Sequence, residues 1–201
     1  MKSDQQLDPK LQKAALFGPS NTFSRSSGTT HEFYLSGEIL EPAEYCEWFD
    51  TIRNAGPQDS IRIYINSSGG DLYTAIQFLR VFGETQAHVT CSIEGACMSA
   101  ATMIFLHAHS FEVTPHSCIM FHNYSGGMYG KGGELYDQLQ FERTWSEKFM
   151  CEVYKDFLTN EEIDSILQNK DIWMTSDEVI QRLKLLSNKR AENNMESNAA
   201  G

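Results

Sequence analysis

The chain has 201 residues and a mass of 22.8 kDa, enough for one domain with a sizeable core. A formal net charge of -11 and a pI of about 4.9 argue against non-specific nucleic-acid binding, and no apolar run approaches the roughly 20 residues of a membrane-spanning helix. The five cysteines are an odd number without a C-x-x-C pair, which points to free thiols in a reducing cytoplasm rather than to a disulfide frame.

Residues 1–30 are polar and predict an N-terminal arm, partly disordered, without the apolar core of a secretory signal. "HEFYLSGEI" reads as a short strand ending at Gly37. "EPAEYCEWFDTIRNAG" carries Tyr45, Trp48, Phe49 and Ile52 at helical spacing and stops at Gly56-Pro57. "SIRIYINSSGG" is a β-branched strand running into two glycines. "DLYTAIQFLRVFGE" then reads as a helix with Leu72, Ala75, Ile76, Leu79 and Phe82 on one face. "AHVTCSIEG" is the next strand and "ACMSAATMIFLHA" the next helix. "SFEVTPHS" and "CIMFHNYSG" are strand-like, and "GGMYGKGG" is flexible. A long helix follows in "ELYDQLQFERTWSEKFMCEVYKDFL". Thr159 and Glu162 make a capping-box pattern at the start of "TNEEIDSILQN". "TSDEVIQRL" predicts a final short helix, and residues 187–201 a flexible tail.

Strands alternating with helices through short connections predict an α/β fold of right-handed βαβ units around a largely parallel sheet. Ligands in such sheets gather at the carboxyl ends of the strands. Two strand ends there carry chemistry, "NSSGG" at 66–70 and "EGACMS" at 94–99. A cysteine at a strand-to-helix turn is favoured as thiolate by the helix N-terminus. "GACMS" resembles a G-x-S-x-G elbow with Cys97 in the serine position, although the segment alone favours close helix–sheet packing around a buried thiol. "NSSGGD" offers backbone N–H groups of the kind that hold an oxyanion. His122 ends an apolar strand beside a glycine-rich segment, and Asp171 follows a helix in "QNKDIWMTSDE". The six histidines form neither an H-E-x-x-H nor a zinc-finger spacing, so no metal site is expected.

Four stretches taken together, "YINSSGGDLYTAIQFLRVF", "EGACMSA", "IMFHNYSGG" and "NKDIWMTSDEVI", resemble the Clp protease proteolytic subunit family (ClpP). That family shows "YINSPGG", "GxxASMGA", "MIHQPxGG" and an "RD" aspartate in the same order. The resemblance covers about residues 30 to 185, giving an arm at 1–30, a ClpP-like domain at 31–186 and a tail at 187–201. It implies the crotonase-like spiral of βαβ units with a protruding handle helix. It also implies a peptidase acting by covalent catalysis, with no metal or nucleotide cofactor. Carried over without a gap, Cys97 falls on the nucleophile, His122 on the general base and Asp171 on the acid that orients it. Gly70 and Met98 fall on the two oxyanion-hole N–H donors. Leu72 and Ser125 fall on positions flanking an extended peptide. In this alignment Ser99 falls on a glycine two residues past the nucleophile, with its hydroxyl expected to point away from His122.

The implied partners are a peptide or unfolded-protein substrate and further copies of the chain, in heptameric rings stacked in pairs. An AAA+ unfoldase is also implied. Arg62 and residues 1–30 depart from the family pattern where that partner docks. Cysteine in the serine position leaves a rival reading, an inactive or serine-replaced subunit with a structural role in a mixed ring. An acyl-CoA enzyme on the same fold ranks lower, because it has no use for a Cys–His–Asp set.

Overall fold

The computed structural model describes residues 28–127 and 129–199. Most of the expected arm, residues 1–27, lies outside them. From Gly28 onward the chain is engaged: the Thr29 N–H donates to Asp59 Oδ1 at 2.8 Å, and Thr30 already opens the first strand. In chain order the elements are β1 (Thr30–Ile39), a 3₁₀ turn (Pro42–Tyr45) leading into α1 (Cys46–Asn54), β2 (Ser60–Gly70), α2 (Leu72–Glu84), β3 (His88–Met98) and α3 (Ala100–His107). Then come β4 (Ser110–Val113), β5 (Cys118–Phe121), α4 (Gly132–Tyr154), α5 (Asn160–Leu167), β6 (Ile172–Thr175) and α6 (Ser176–Ala199).

The six strands form one sheet of order β1-β2-β3-β5-β6, with β4 also paired to β3. All pairings are parallel except β5 with β6. Burial alternates along β2, where Ile61, Ile63 and Ile65 face the core while Arg62 and Tyr64 face out. Val89, Cys91 and Ile93 do the same on β3. Against that inner face lies an aromatic cluster in which Tyr45, Phe49 and Phe82 all surround Phe78. Rings of this size bury most of the apolar area that offsets chain entropy. Asp71 caps α2 by accepting from the Thr74 N–H at 2.7 Å, and Thr159 and Glu162 make the capping box of α5 that their spacing predicts.

The middle of the sheet is irregular. Ile65 pairs with Ile93 and Ser67 with Cys97, so two steps along β2 answer four along β3. The extra pair of residues bulges around Glu94–Ala96 and is held by Asn66, whose Oδ1 accepts from the Ala96 N–H at 3.0 Å. Beyond the bulge β3 exchanges neighbours on its far edge. Thr90–Ile93 pair with β4 and Ala96–Met98 with β5.

Three expectations are corrected here. The strand expected to end near Gly95 continues to Met98, and the helix after it begins only at Ala100. The segment around Trp173, where the sequence reading places no strand, is strand β6. The final helix is not short, and the tail from 187 is not loose through residue 199: α6 runs 24 residues. Arg190 on α6 donates to the carbonyls of Leu106 and Ala108 at 2.7 and 2.9 Å, and Lys189 pairs with Asp156 at 2.5 Å. Those contacts give the C-terminal turns a docking site that composition alone does not reveal.

Candidate active site

The carboxyl ends of β2 and β3 and the residues after β5 open on one cleft of about 890 Å³. Its lining includes Gly69, Gly70, Leu72, Ser99, Ala100, His122 and Ser125, closed on one side by α4 through Glu142, Trp145 and Phe149. His122 Nε2 lies 2.7 Å from Ser99 Oγ, a hydrogen bond between the hydroxyl of the β3–α3 turn and the imidazole that directly follows β5.

Ser99 sits between β3 and α3 at φ 54 and ψ -128. A non-glycine residue there is strained by about 1–3 kcal/mol and persists only when its surroundings over-determine it. They do. Its N–H donates to Met120 O at 2.9 Å, and its carbonyl accepts from both the Thr102 N–H at 2.9 Å and Thr102 Oγ1 at 2.6 Å. Thr102 Oγ1 also meets Tyr154 Oη at 2.8 Å, which ties the turn to the buried end of α4. A serine on a strained strand–turn–helix is the arrangement of a nucleophile elbow. Ala100 is the first residue of α3, where an N–H has no intrahelical acceptor.

Gly69 permits this turn. Its φ is +93, and a Cβ on it would lie 2.6 Å from Ser99 Cβ and 2.7 Å from Met98 O. Gly70, at φ +149, is pressed in the same way against Ile39. The Gly69 N–H is already occupied by Ser67 Oγ at 3.1 Å.

Cys97 does not have the placement expected of a nucleophile. It lies within β3, paired with Ser67 and Ile119, and is 0% exposed. It is absent from the cleft lining. Burial, with the neighbouring Cys91 and Cys118 thiols adding to it, pushes its own thiol well above the ordinary range. The cause is parity: Cys97 falls in phase with Val89, Cys91 and Ile93, all of which face the core. The serine expected to point away from His122 touches it instead. Met98 does not line the cleft either, and its carbonyl packs near Gly69. Gly70, Leu72 and Ser125 do line it.

Asp171 is exposed, and among the described residues no hydrogen bond joins it to His122. Its position is nonetheless specific. β5 and β6 pair Phe121 with Ile172, so the next step of that antiparallel register sets His122 opposite Asp171. Nearby, Asn123 Nδ2 donates to Asn169 Oδ1 at 3.0 Å, holding the two chains together beyond the ladder. Among the described residues no group of three metal-ligating side chains converges, and no helix is long and apolar enough to cross a membrane.

The chain is 24% identical over 150 residues to the ATP-dependent Clp protease proteolytic subunit 1 of Salinibacter ruber. The match covers 73% of this chain and 63% of that relative, so it spans less than two thirds of the relative's length. The family profile described as Clp protease matches residues 45–182, more than half of the chain and inclusive of Gly69, Gly70, Ser99 and His122, and the chain therefore belongs to the Clp protease family.

Proposed function

We propose that this chain is a Clp-type endopeptidase whose nucleophile is Ser99 rather than Cys97. The observation that carries the reading is the 2.7 Å contact between His122 Nε2 and Ser99 Oγ at a strained elbow. With Nδ1 protonated, His122 accepts the Ser99 proton as the hydroxyl attacks the scissile carbonyl. It then returns that proton to the leaving amine, and water hydrolyses the acyl-enzyme. The N–H groups of Gly70 and Ala100 hold the oxyanion, worth roughly 3 kcal/mol per donor. Asp171 is the group that orients His122, supported by the strand register between them. Leu72 and Ser125 flank the extended peptide, whose backbone adds alongside the segment after His122. None of these steps calls on a metal or nucleotide.

The test is labelling with a fluorophosphonate, which reacts with activated serines. The native chain and Cys97→Ala are expected to label at Ser99, and Ser99→Ala to lose both labelling and cleavage of a fluorogenic peptide. Activity that survives Ser99→Ala but disappears in Cys97→Ser would overturn the assignment.

A second reading keeps the fold and drops the chemistry: a structural subunit of a mixed ring. Asp171, exposed and without a hydrogen bond among the described residues, favours it. Absence of labelling in a folded chain would decide for it. In either reading the chain works as an oligomeric ring in the cytoplasm, with α4 as the handle helix. The five free thiols fit a reducing compartment. Tyr136, Leu139 and Phe141, all more than half exposed on α4, suit contact with further copies. A stable species near the monomer mass in sedimentation would contradict the ring.

A further inference from the structure

We infer that the cleft over Ser99 selects peptides carrying lysine or arginine beside the scissile bond. The inference rests on the peptidase reading for where that bond lies, while recognition itself needs no turnover. The cleft lining holds no Lys or Arg, and its acidic members are Glu38, Asp71 and Glu142. Among the described residues none of the three pairs with a cation. Asp71 spends one oxygen on the cap of α2, and Glu142 accepts from the neutral Gln138 at 2.9 Å. Glu38 stands opposite Gly69 in the β1–β2 register, beside the turn that carries Ser99.

Aromatic rings line the same cleft as these carboxylates. Tyr73 stacks on Trp145 with centroids 6.2 Å apart and an interplanar angle of 25°, and Trp145 stacks on Phe149 at 5.5 Å and 1°. Glu142, Trp145 and Phe149 are spaced three and four residues apart, so α4 presents them on one face. Tyr73 remains 64% exposed. A carboxylate beside an open aromatic face suits a guanidinium or ammonium, through an ion pair and a cation–π contact together. An acidic side chain in the same cleft meets carboxylates of like charge and no cation in the lining.

The test uses two dye-labelled peptides of equal length that differ only in central Lys or Glu residues. Their binding to the full chain carrying Ser99→Ala, which prevents cleavage, is followed by fluorescence anisotropy. The Lys peptide is expected to bind at least about tenfold tighter at low salt, with the ratio collapsing as salt rises toward about 1 M. Glu38→Gln and Glu142→Gln should each lower the ratio about two- to fivefold. Glu161→Gln, remote from the cleft on α5, should leave it unchanged. Equal binding of the two peptides overturns the inference. So does absence of binding to either. An effect of Glu161→Gln matching that of Glu142→Gln overturns it too, because net charge would then explain the preference. Fluorophosphonate labelling of the native chain judges the peptidase reading separately. Labelled Ser99 without a Lys preference sinks the specificity alone, and a Lys preference without labelling sinks the peptidase reading alone.

Discussion

Gly69→Ala and Gly37→Ala together separate backbone strain from the packing that holds Ser99. Both glycines have left-handed φ, +93 and +81. An alanine forced there costs about 1–2 kcal/mol in either place. At Gly37 nothing lies within 4 Å of the added Cβ, so strain is the whole cost. At Gly69 the added Cβ meets Ser99 Cβ at 2.6 Å, Met98 O at 2.7 Å and the Ala100 nitrogen at 3.1 Å. None of these atoms is the end of a flexible side chain, so the turn itself must shift, and overpacking of this kind adds about 1–3 kcal/mol. Gly69→Ala is therefore expected to lose about 2–5 kcal/mol and Gly37→Ala about 1–2 kcal/mol, measured by urea unfolding at one fixed protein concentration. The clash also pushes on Ser99 and on the N–H of Ala100. Fluorophosphonate labelling should thus fall at least about tenfold in folded Gly69→Ala, by analogy with the loss of an oxyanion donor, and stay near native in Gly37→Ala. Equal destabilisation of the two variants, or native labelling in folded Gly69→Ala, would refute the reasoning.

Thiol reactivity gives a second prediction. Iodoacetamide at neutral pH should modify the exposed Cys46 and Cys151 first and leave Cys91 and Cys97 unmodified until the chain unfolds, as followed by mass spectrometry; rapid modification of Cys97 in the native chain would contradict its burial. The third concerns Glu162 and Arg182, joined by two hydrogen bonds of 2.7 Å. The Arg182 guanidinium, with help from the Thr159 N–H, holds the Glu162 carboxyl below the ordinary carboxylate range. A lowered carboxyl stabilises the fold above its unfolded pKa of about 4.3 and loses that contribution as pH falls through its lower folded value. Arg182→Met should cost about 1 kcal/mol at pH 7, discounted for partial exposure, and the gap to the native chain should close in urea unfolding below about pH 4; a gap that is constant with pH would show that the loss comes from packing.

Much of the fold is legible in the sequence because its signals are local. Isoleucines at alternate positions in "SIRIYIN" specify a strand with one buried face, and Asp71, Thr159 and Glu162 mark helix starts. The end of β3 is not local. "CSIEGACMSAATM" carries small residues equally suited to strand and helix, and a glycine at position 95 invites a break. The strand continues because Asn66 on β2 captures the bulge and Cys118–Met120 supply a new neighbour. Both are long-range contacts. Period two did hold the answer in part: counting from Val89 through Cys91 and Ile93 puts Cys97 inward whenever the strand reaches it. Gap-free counting back from His122 conceals this, since the bonded pair Ser99 and His122 are 23 residues apart. Strand β6 was masked by its length of four residues. The acidic and aromatic wall of the cleft was out of reach altogether, because α2 and α4 meet only in the fold.

The shared dependence of the candidate site on β5 explains how so short a strand fixes its geometry. Its parallel edge pairs Ile119 with Cys97 and Met120 with Met98, which brings His122 to Ser99. Its antiparallel edge pairs Phe121 with Ile172, which brings Asp171 opposite the same histidine. Residues directly opposite in an antiparallel pair share a face with Cβ atoms about 4.5–5.5 Å apart, within reach of a carboxylate–imidazole bond. A slip of one residue on either edge would turn His122 to the other face. Two core residues oppose such a slip: Ile119 and Phe121 are 1% and 0% exposed, and Phe121 packs edge-on against Tyr154 at 5.2 Å. Tyr154 in turn holds Thr102, and Thr102 holds the carbonyl of Ser99. The side chains that lock the register of His122 and the backbone that strains Ser99 therefore meet at one buried hydroxyl. Loss of packing at Phe121 would disturb both at once.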